Sequence, residues 1–278
     1  MSSAPAAESR PMSMLLEKIQ LPGRIEDLRA AYQTAKPFPH LIIDNLFSDR
    51  MLDSLLPEIE GMQRGQWNNI EQDSRERTLR MRSAVEIGDA GERFLSVVHS
   101  APFLYLLSEI TGIWQLLPDP YLQGGGYAVM RRGDYFHVHS DRSVAYETGL
   151  TRRLAMIVFL NKAWAPDYHG QLELWSPDAK KCDVVIDPLF NKTVIFEVAF
   201  PNYHGVPVPL ACPADRSRKS FILYYHTVGI DGKPDVQPHT SIFAPRLHGT
   251  NRLTFRALLR EITPPVLTRA LRKFAKSH

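Results

Sequence analysis

His139 and Asp141 stand two residues apart, His204 follows 65 residues after His139, and Arg218-Lys219-Ser220 begins 14 residues beyond His204. These residue types at these spacings suit a mononuclear metal. Two neutral imidazoles and one carboxylate on one side of Fe(II) hold the ion and leave its other side open for a co-substrate and oxygen. An arginine, with its planar and permanently charged fork, is suited to anchoring an acid beside such a centre. Residues two apart in a strand share a face, so His139 and Asp141 can reach one ion. By the same alternation His137 and His139 point one way, which leaves open a site of His137, His139 and His204 that needs no dicarboxylic acid. The order of the triplet and the arginine after the distal histidine favour Asp141, with His137 read as a substrate-facing or supporting residue. His169 and His226 are rival distal histidines, and neither has an Arg-x-Ser placed behind it.

The elements that must carry these residues are legible in the periodicity. Two helices are expected over 12–20 and 24–35, where Met14, Leu15, Ile19 and then Ile25, Leu28, Tyr32 recur at helical spacing, and Pro37-Phe38-Pro39 ends the second. His40 to Asp44 reads as a short buried strand, and Ser48 or Asp49 can cap a helix to about Glu60. The stretch 86–112 again looks helical, with an apolar face from Phe94 to Ile110. From about Tyr121 the character changes to β-branched and aromatic runs: 127–130, 136–139, 154–160, 171–175, 183–186, 193–197, 205–208 and 220–226. Eight short strands with Gly and Pro turns predict an antiparallel double-sheet jelly roll. The expected class is therefore α+β with a mainly β core: a double-stranded β-helix buttressed by N-terminal helices, with a basic C-terminal helix. Its organisation is a disordered tail over 1–11, a helical cover with the first core strand over 12–120, a catalytic jelly roll over 121–230, and a C-terminal extension over 231–278, all within one integrated domain.

The composition, 44% hydrophobic and 23% charged over 278 residues, is that of a globular chain able to bury a large core, which excludes a disordered polymer. No run of eighteen apolar residues occurs, and the first eleven residues lack the basic-then-apolar pattern of a secretory signal, so a cytoplasmic location is expected. Cys182 and Cys212 match no zinc spacing and are read as thiols of a reducing compartment. From Arg252 to His278, seven basic residues stand against Glu261 alone, a net of +6 that leaves −3 for the rest of a chain whose total is +3. After Thr263-Pro264-Pro265, residues Leu267, Ala270, Leu271 and Phe274 recur at helical spacing opposite Arg269, Arg272, Lys273 and Lys276. This tail is read as a terminal helix packed on the barrel, with peripheral attachment to an anionic membrane or a polyanionic substrate as the alternative. Nucleic acid is not expected as a partner.

Several blocks in order carry a family resemblance: GDYFHVHSD over Gly133–Asp141, RLAMIVFLNKAW over Arg153–Trp164, GQLEL over 170–174, VIF over 194–196, HGV over 204–206 and RKS over 218–220, with a looser echo in KPFPHLIID over 36–44. Over roughly Tyr121 to Thr227 the chain resembles the prolyl-hydroxylase-type Fe(II) and 2-oxoglutarate dioxygenases. It departs at Gly170-Gln171, where the family often has two glycines, and at Phe159, where some members have a tyrosine that touches the co-substrate. The resemblance implies that His139, Asp141 and His204 bind iron and that Arg218 pairs with the distal carboxylate of 2-oxoglutarate. It also implies that Ser220 assists, that Tyr127 is a further co-substrate contact, and that ascorbate is a supporting reductant. The implied reaction consumes oxygen, releases succinate and carbon dioxide, and hydroxylates an unactivated carbon of an amino-acid, peptide or other small-molecule substrate; the basic tail would suit an anionic sugar-type one. His137, Tyr135, Arg152, Arg153 and Trp175 are candidate substrate or supporting residues. Phe136, Trp175, Phe196 and Tyr203 are candidate aromatics near the mouth. The alternative is a cupin-like oxygenase, or a metal-binding module, that uses His137 and no 2-oxoglutarate.

Overall fold

The computed structural model describes residues 19–62, 86–146, 148–229 and 238–244, together with the backbone of 67–72 and 76–81. Four helices are described. Helix α1 (Ile25–Thr34) buries Leu28 and Tyr32, and α2 (Asp49–Gly61) buries Leu52, Leu55 and Ile59. Ser48 caps α2 as its position before the apolar run predicts, its Oγ accepting from the Met51 N–H at 3.3 Å. The helical stretch expected over 86–112 is two helices, α3 (Asp89–Val98) and α4 (Ala101–Thr111), bent by 51°. Ser100 makes the break, its Oγ accepting from the Phe103 N–H at 3.3 Å, with Pro102 in the first turn of α4. No single helix among the described residues is long and apolar enough to cross a membrane.

Thirteen strands are described: β1 (His40–Asp44), β2 (Trp67–Gln72), β3 (Glu76–Met81), β4 (Leu117–Pro118), β5 (Gly126–Met130), β6 (Tyr135–Ser140), β7 (Thr151–Phe159), β8 (Leu172–Trp175), β9 (Cys182–Ile186), β10 (Lys192–Glu197), β11 (Tyr203–Val206), β12 (Arg218–Thr227) and β13 (Ile242–Phe243). Their order is β1-β10-β7-β12-β5-β3-β6-β11-β8-β9, and the ladders between these neighbours are antiparallel. Strand β3 pairs with both β5 and β6 and so joins the larger half of the jelly roll to the smaller one. The eight core strands lie where alternation and turn residues predict them, within a few residues at each end. The hairpin β2–β3 and the short strands β4 and β13 carry no such signal.

Two core layers decide which side chains can reach the barrel interior. On β7, Leu154, Met156 and Val158 pack in the layer shared with the helices, while Ala155, Ile157 and Phe159 face the space between the two halves. On β12 the division is Phe221, Leu223 and Tyr225 against Ile222 and Tyr224. This is the period of two expected of a strand, but both faces are buried, so the sequence reads as an almost continuous apolar run. Tyr225 fastens the layers, its hydroxyl donating to the Val98 carbonyl of α3 at 3.1 Å.

The described residues fall within one compact unit, and residues 245–278 lie outside them. The basic C-terminal helix, the N-terminal tail and most of the helix expected over 12–20 therefore lie outside the described residues. The two residues of that helix that are described do not extend one: Ile19 makes a β-bridge with Phe47, and the Gln20 N–H donates to the Leu46 carbonyl. Both cysteines are free.

Candidate metal centre and co-substrate pocket

The antiparallel pairing of β6 with β11 sets His139 directly opposite His204, and Asp141 follows immediately after β6. Residues 65 apart in sequence thus become cross-strand neighbours, with ring centroids 4.5 Å apart. The Nε2 of His139 lies 3.4 Å from Asp141 Oδ1, and the Nε2 of His204 lies 3.6 Å from Asp141 Oδ2. One ligand atom from each residue falls within 4.8 Å of the others, and all three residues are buried. The His137 carbonyl accepts a hydrogen bond from His139 Nδ1 at 2.8 Å, which turns Nε2 toward the centre. Burial alone would raise the Asp141 carboxyl pKa. The neighbouring His204 and His139 imidazoles and the Arg152 guanidinium outweigh it and hold the group well below the usual carboxylate range. Two imidazoles and an ionised carboxylate are a donor set that fits Fe(II).

His137 does not join them, and the reason is a β-bulge. His204 pairs with His139 while Val206 pairs with Phe136, so two steps on β11 match three on β6. The extra residue puts Phe136 on the His139 side, where the two rings stack at 4.0 Å, and leaves His137 beside Tyr135 at 5.1 Å. Neither His137 nor Tyr135 lines the cavity. Simple alternation, which aims His137 and His139 together, is corrected here.

The bulge depends on Gly205. A Cβ there would stand 2.9 Å from the Phe136 carbonyl oxygen and from the backbone N and Cα of Val138. Backbone cannot yield as a side-chain tip can. We expect Gly205→Ala to push β11 off β6, cost about 1–3 kcal/mol of stability, and weaken metal binding by misaligning His204 with His139. Thermal melting and a metal titration check this, and unchanged values in both would contradict the role given to the bulge.

A cavity opens from the triad between the two halves of the barrel and reaches Arg218 and Ser220. Arg218 is buried at the start of β12. Its Nε donates to the Gly170 carbonyl at 2.7 Å, and its guanidinium lies 4.9 Å from the Phe159 ring centroid. Gly170 has φ +84°, and a Cβ on it would come within 3.0 Å of Arg218 Cδ, so glycine is needed here. Gln171 bonds outward to Asp187 at 3.2 Å, which makes the loss of a second glycine harmless to the arginine. The Ser220 hydroxyl is fully buried in this cavity with no hydrogen-bond partner among the described residues. A buried hydroxyl beside a guanidinium suits a carboxylate acceptor. Small side chains at Ala128 and Ala155 leave room for it.

Tyr127, expected to touch the co-substrate, faces the other way. On β5 it is Ala128 and Met130 that line the cavity. Tyr127 and Val129 belong to the helical layer, and the Tyr127 ring meets Phe221 edge-on at 4.8 Å. Its hydroxyl lies where a Cβ on Gly91 of α3 would be 3.0 Å away. Strand alternation therefore removes it from the pocket. Phe159 carries no hydroxyl at the position in question and lies under the arginine.

Of the candidate substrate contacts, Arg152 is buried behind Asp141 and does not line the cavity. Arg153 lies 3.4 Å from Glu197. Trp175 donates to Glu173 at 2.9 Å and packs with Val138, Ala179 and Tyr203. Phe136 and Phe196 do line the cavity, and Phe196 lies 4.6 Å from the His204 ring. The rival histidines lie elsewhere in the fold. His169 ends a short 3-10 turn and its carbonyl accepts from Trp164. His226 is buried opposite Arg152, its pKa lowered to about 4 by burial first and Arg152 second. Residues that sequence reasoning passed over include Phe243, whose ring lies 5.7 Å from His139 from a strand paired with β6, and Tyr224, whose hydroxyl donates to Asp141.

Residues 125–226 match the model of the 2OG-Fe(II) oxygenase superfamily. No curated protein sequence matches the chain significantly. Among solved structures, a prolyl hydroxylase from Trichoplax adhaerens, in complex with a hypoxia inducible factor oxygen degradation domain peptide fragment, is similar with a TM-score of 0.52. Its identity is 20% over 81% of this chain and 94% of that one. An oxidoreductase of the 2OG-Fe(II) oxygenase family from Burkholderia pseudomallei has a TM-score of 0.52 at 11% identity, covering 74% of this chain and 91% of that one. The alpha ketoglutarate dependent carbocyclase SnoK from nogalamycin biosynthesis also has a TM-score of 0.52 at 11% identity, over 88% and 95%. At these identities the likeness is one of fold. The matched segment holds His139, Asp141, His204, Arg218 and Ser220 together, and residues 125–226 are accordingly a 2OG-Fe(II) oxygenase domain, making the protein a dioxygenase that uses Fe(II), 2-oxoglutarate and oxygen.

Proposed function

We propose that the protein hydroxylates an unactivated carbon of an amino-acid or peptide substrate, with release of succinate and carbon dioxide. The observation that carries this reading is the single cavity that joins the three-ligand cluster to Arg218 and Ser220. His139, Asp141 and His204 would hold the metal on one side. Arg218 would pair with the distal carboxylate of 2-oxoglutarate while its Nε stays tied to Gly170, and Ser220 would donate its otherwise unused hydroxyl hydrogen to the same group. Fe(II) with 2-oxoglutarate and oxygen supplies the oxidising power. The chain's own part is to position and to exclude water: Phe136 and Phe196 wall the two imidazoles, and Met130, Ile157, Leu172 and Val206 line the rest with hydrocarbon. The peptide held by the Trichoplax relative supports the choice of substrate class. No observation favours the reading that uses His137.

The test is turnover. Aerobic protein with Fe(II), 2-oxoglutarate and ascorbate should form succinate slowly alone, and faster, with equimolar hydroxylated product, in the presence of a substrate from a panel of free amino acids and short peptides. Succinate without acceleration by any member of the panel would contradict the substrate class. No succinate at all would contradict the reaction.

A further inference from the structure

Asp141 must present one oxygen to the metal, because a carboxylate that bound through both would occupy a position needed by the co-substrate or by oxygen. The fold supplies a device at the cavity wall, where Tyr224 and Asp141 both stand. Tyr224, on the inward face of β12, donates from its hydroxyl to Asp141 Oδ2 at 3.2 Å. Asp141 Oδ1 faces the His139 Nε2 at 3.4 Å with no tyrosine on it, while Oδ2 lies 3.6 Å from the His204 Nε2 as well as taking the Tyr224 hydroxyl. The Tyr224 ring is held in turn, for the Arg152 guanidinium carbon lies 3.7 Å from its centroid. Arg152 is itself 3% exposed and fixed by a 2.7 Å hydrogen bond from Nη2 to the Gln123 carbonyl. Burying an arginine is costly unless its charge is used. Here a desolvated cation lies against the phenol that donates to the ligand carboxylate.

We infer that Tyr224 and Arg152 are positioning residues for the metal: Tyr224 holds Asp141 Oδ2 so that Oδ1 is the coordinating oxygen, and Arg152 fixes the tyrosine in the orientation that donates. Arg152 does not line the cavity, and Tyr224, which does, acts here through Asp141. Outer partners of metal-binding carboxylates contribute roughly 10–100-fold to metal affinity, and an effect of that order is expected here. The inference requires only that the triad binds a divalent metal and is independent of the substrate class.

Co(II) added without oxygen to the full chain serves as the probe, since its d–d bands report coordination number as well as binding. Tyr224→Phe removes one hydroxyl and keeps the ring. It should raise the Co(II) dissociation constant about tenfold or more and change the d–d spectrum, with the melting temperature of metal-free protein unaltered. Arg152→Met should act in the same direction. An unchanged dissociation constant and spectrum for folded Tyr224→Phe would overturn the inference. Should that variant not fold, 3,5-difluorotyrosine at position 224 keeps the ring and alters the strength of the donated bond. A shifted d–d spectrum then supports the positioning role and an identical one overturns it. Wild-type protein that binds no Co(II) would overturn the metal site itself, and this inference with it.

Discussion

Arg218→Met should abolish the use of 2-oxoglutarate while leaving the metal in place. The substitution keeps an apolar stem against Phe159 but deletes the only guanidinium among the described residues that line the cavity. Removing one partner of a buried charge pair costs about 3–5 kcal/mol, which corresponds to roughly a hundred- to several-thousand-fold in the dissociation constant for 2-oxoglutarate. Arg218→Lys should recover only part of this. An ammonium keeps the charge but lacks both the fork and the Nε–H that holds Gly170. Anaerobic titration of the Fe(II) protein with 2-oxoglutarate, followed by calorimetry, reads the difference directly. The metal stoichiometry should not change, because Arg218 makes no part of the ligand cluster. Wild-type affinity in Arg218→Met would mean that the acid is anchored elsewhere.

Asp141→Ala should empty the centre. It leaves two buried imidazoles without the carboxylate that lies between them, and the loss of metal affinity should exceed the roughly 10–100-fold typical of outer partners. His137→Ala is the matched control. The bulge turns that side chain from the triad, and only its backbone carbonyl serves His139, so its metal affinity should be that of the unaltered chain. Metal analysis after anaerobic loading and desalting separates the two outcomes. Iron retained by Asp141→Ala and lost by His137→Ala would restore the three-histidine site.

Much of the jelly roll was legible because a strand's period of two and its Gly, Pro and Asn turns are local properties. The metal residues were legible for a different reason: His-x-Asp, a distant histidine and Arg-x-Ser are an uncommon combination whose chemistry demands that they meet. What stayed hidden depends on partners remote in sequence. Whether His137 faces the metal is decided by a bulge opposite Gly205, which no window around residue 137 contains. Tyr127 lies on a strand whose five residues are all buried, so its pattern gives no sign of which face meets the helices. The hairpin β2–β3 is polar, with Asn68, Asn69, Arg77 and Arg80 in its strands, and lacks the apolar alternation that marks a half-buried strand. Tyr224 stands within an apolar run, while its use lies in the hydroxyl, whose acceptor is 83 residues away. The break at Ser100 divides what reads as one helical stretch over 86–112, although Ser100 and Pro102 are the local signal for it.

The central claim is that one cavity binds a divalent iron through His139, Asp141 and His204 and 2-oxoglutarate through Arg218. It is tested most directly by adding 2-oxoglutarate to the Fe(II) protein without oxygen and recording the visible spectrum. One iron per chain and a weak charge-transfer band that saturates with one equivalent of 2-oxoglutarate, absent from Asp141→Ala and from Arg218→Met, is the result expected. A wild-type spectrum that 2-oxoglutarate leaves unchanged, or a band that survives in Asp141→Ala, would contradict it.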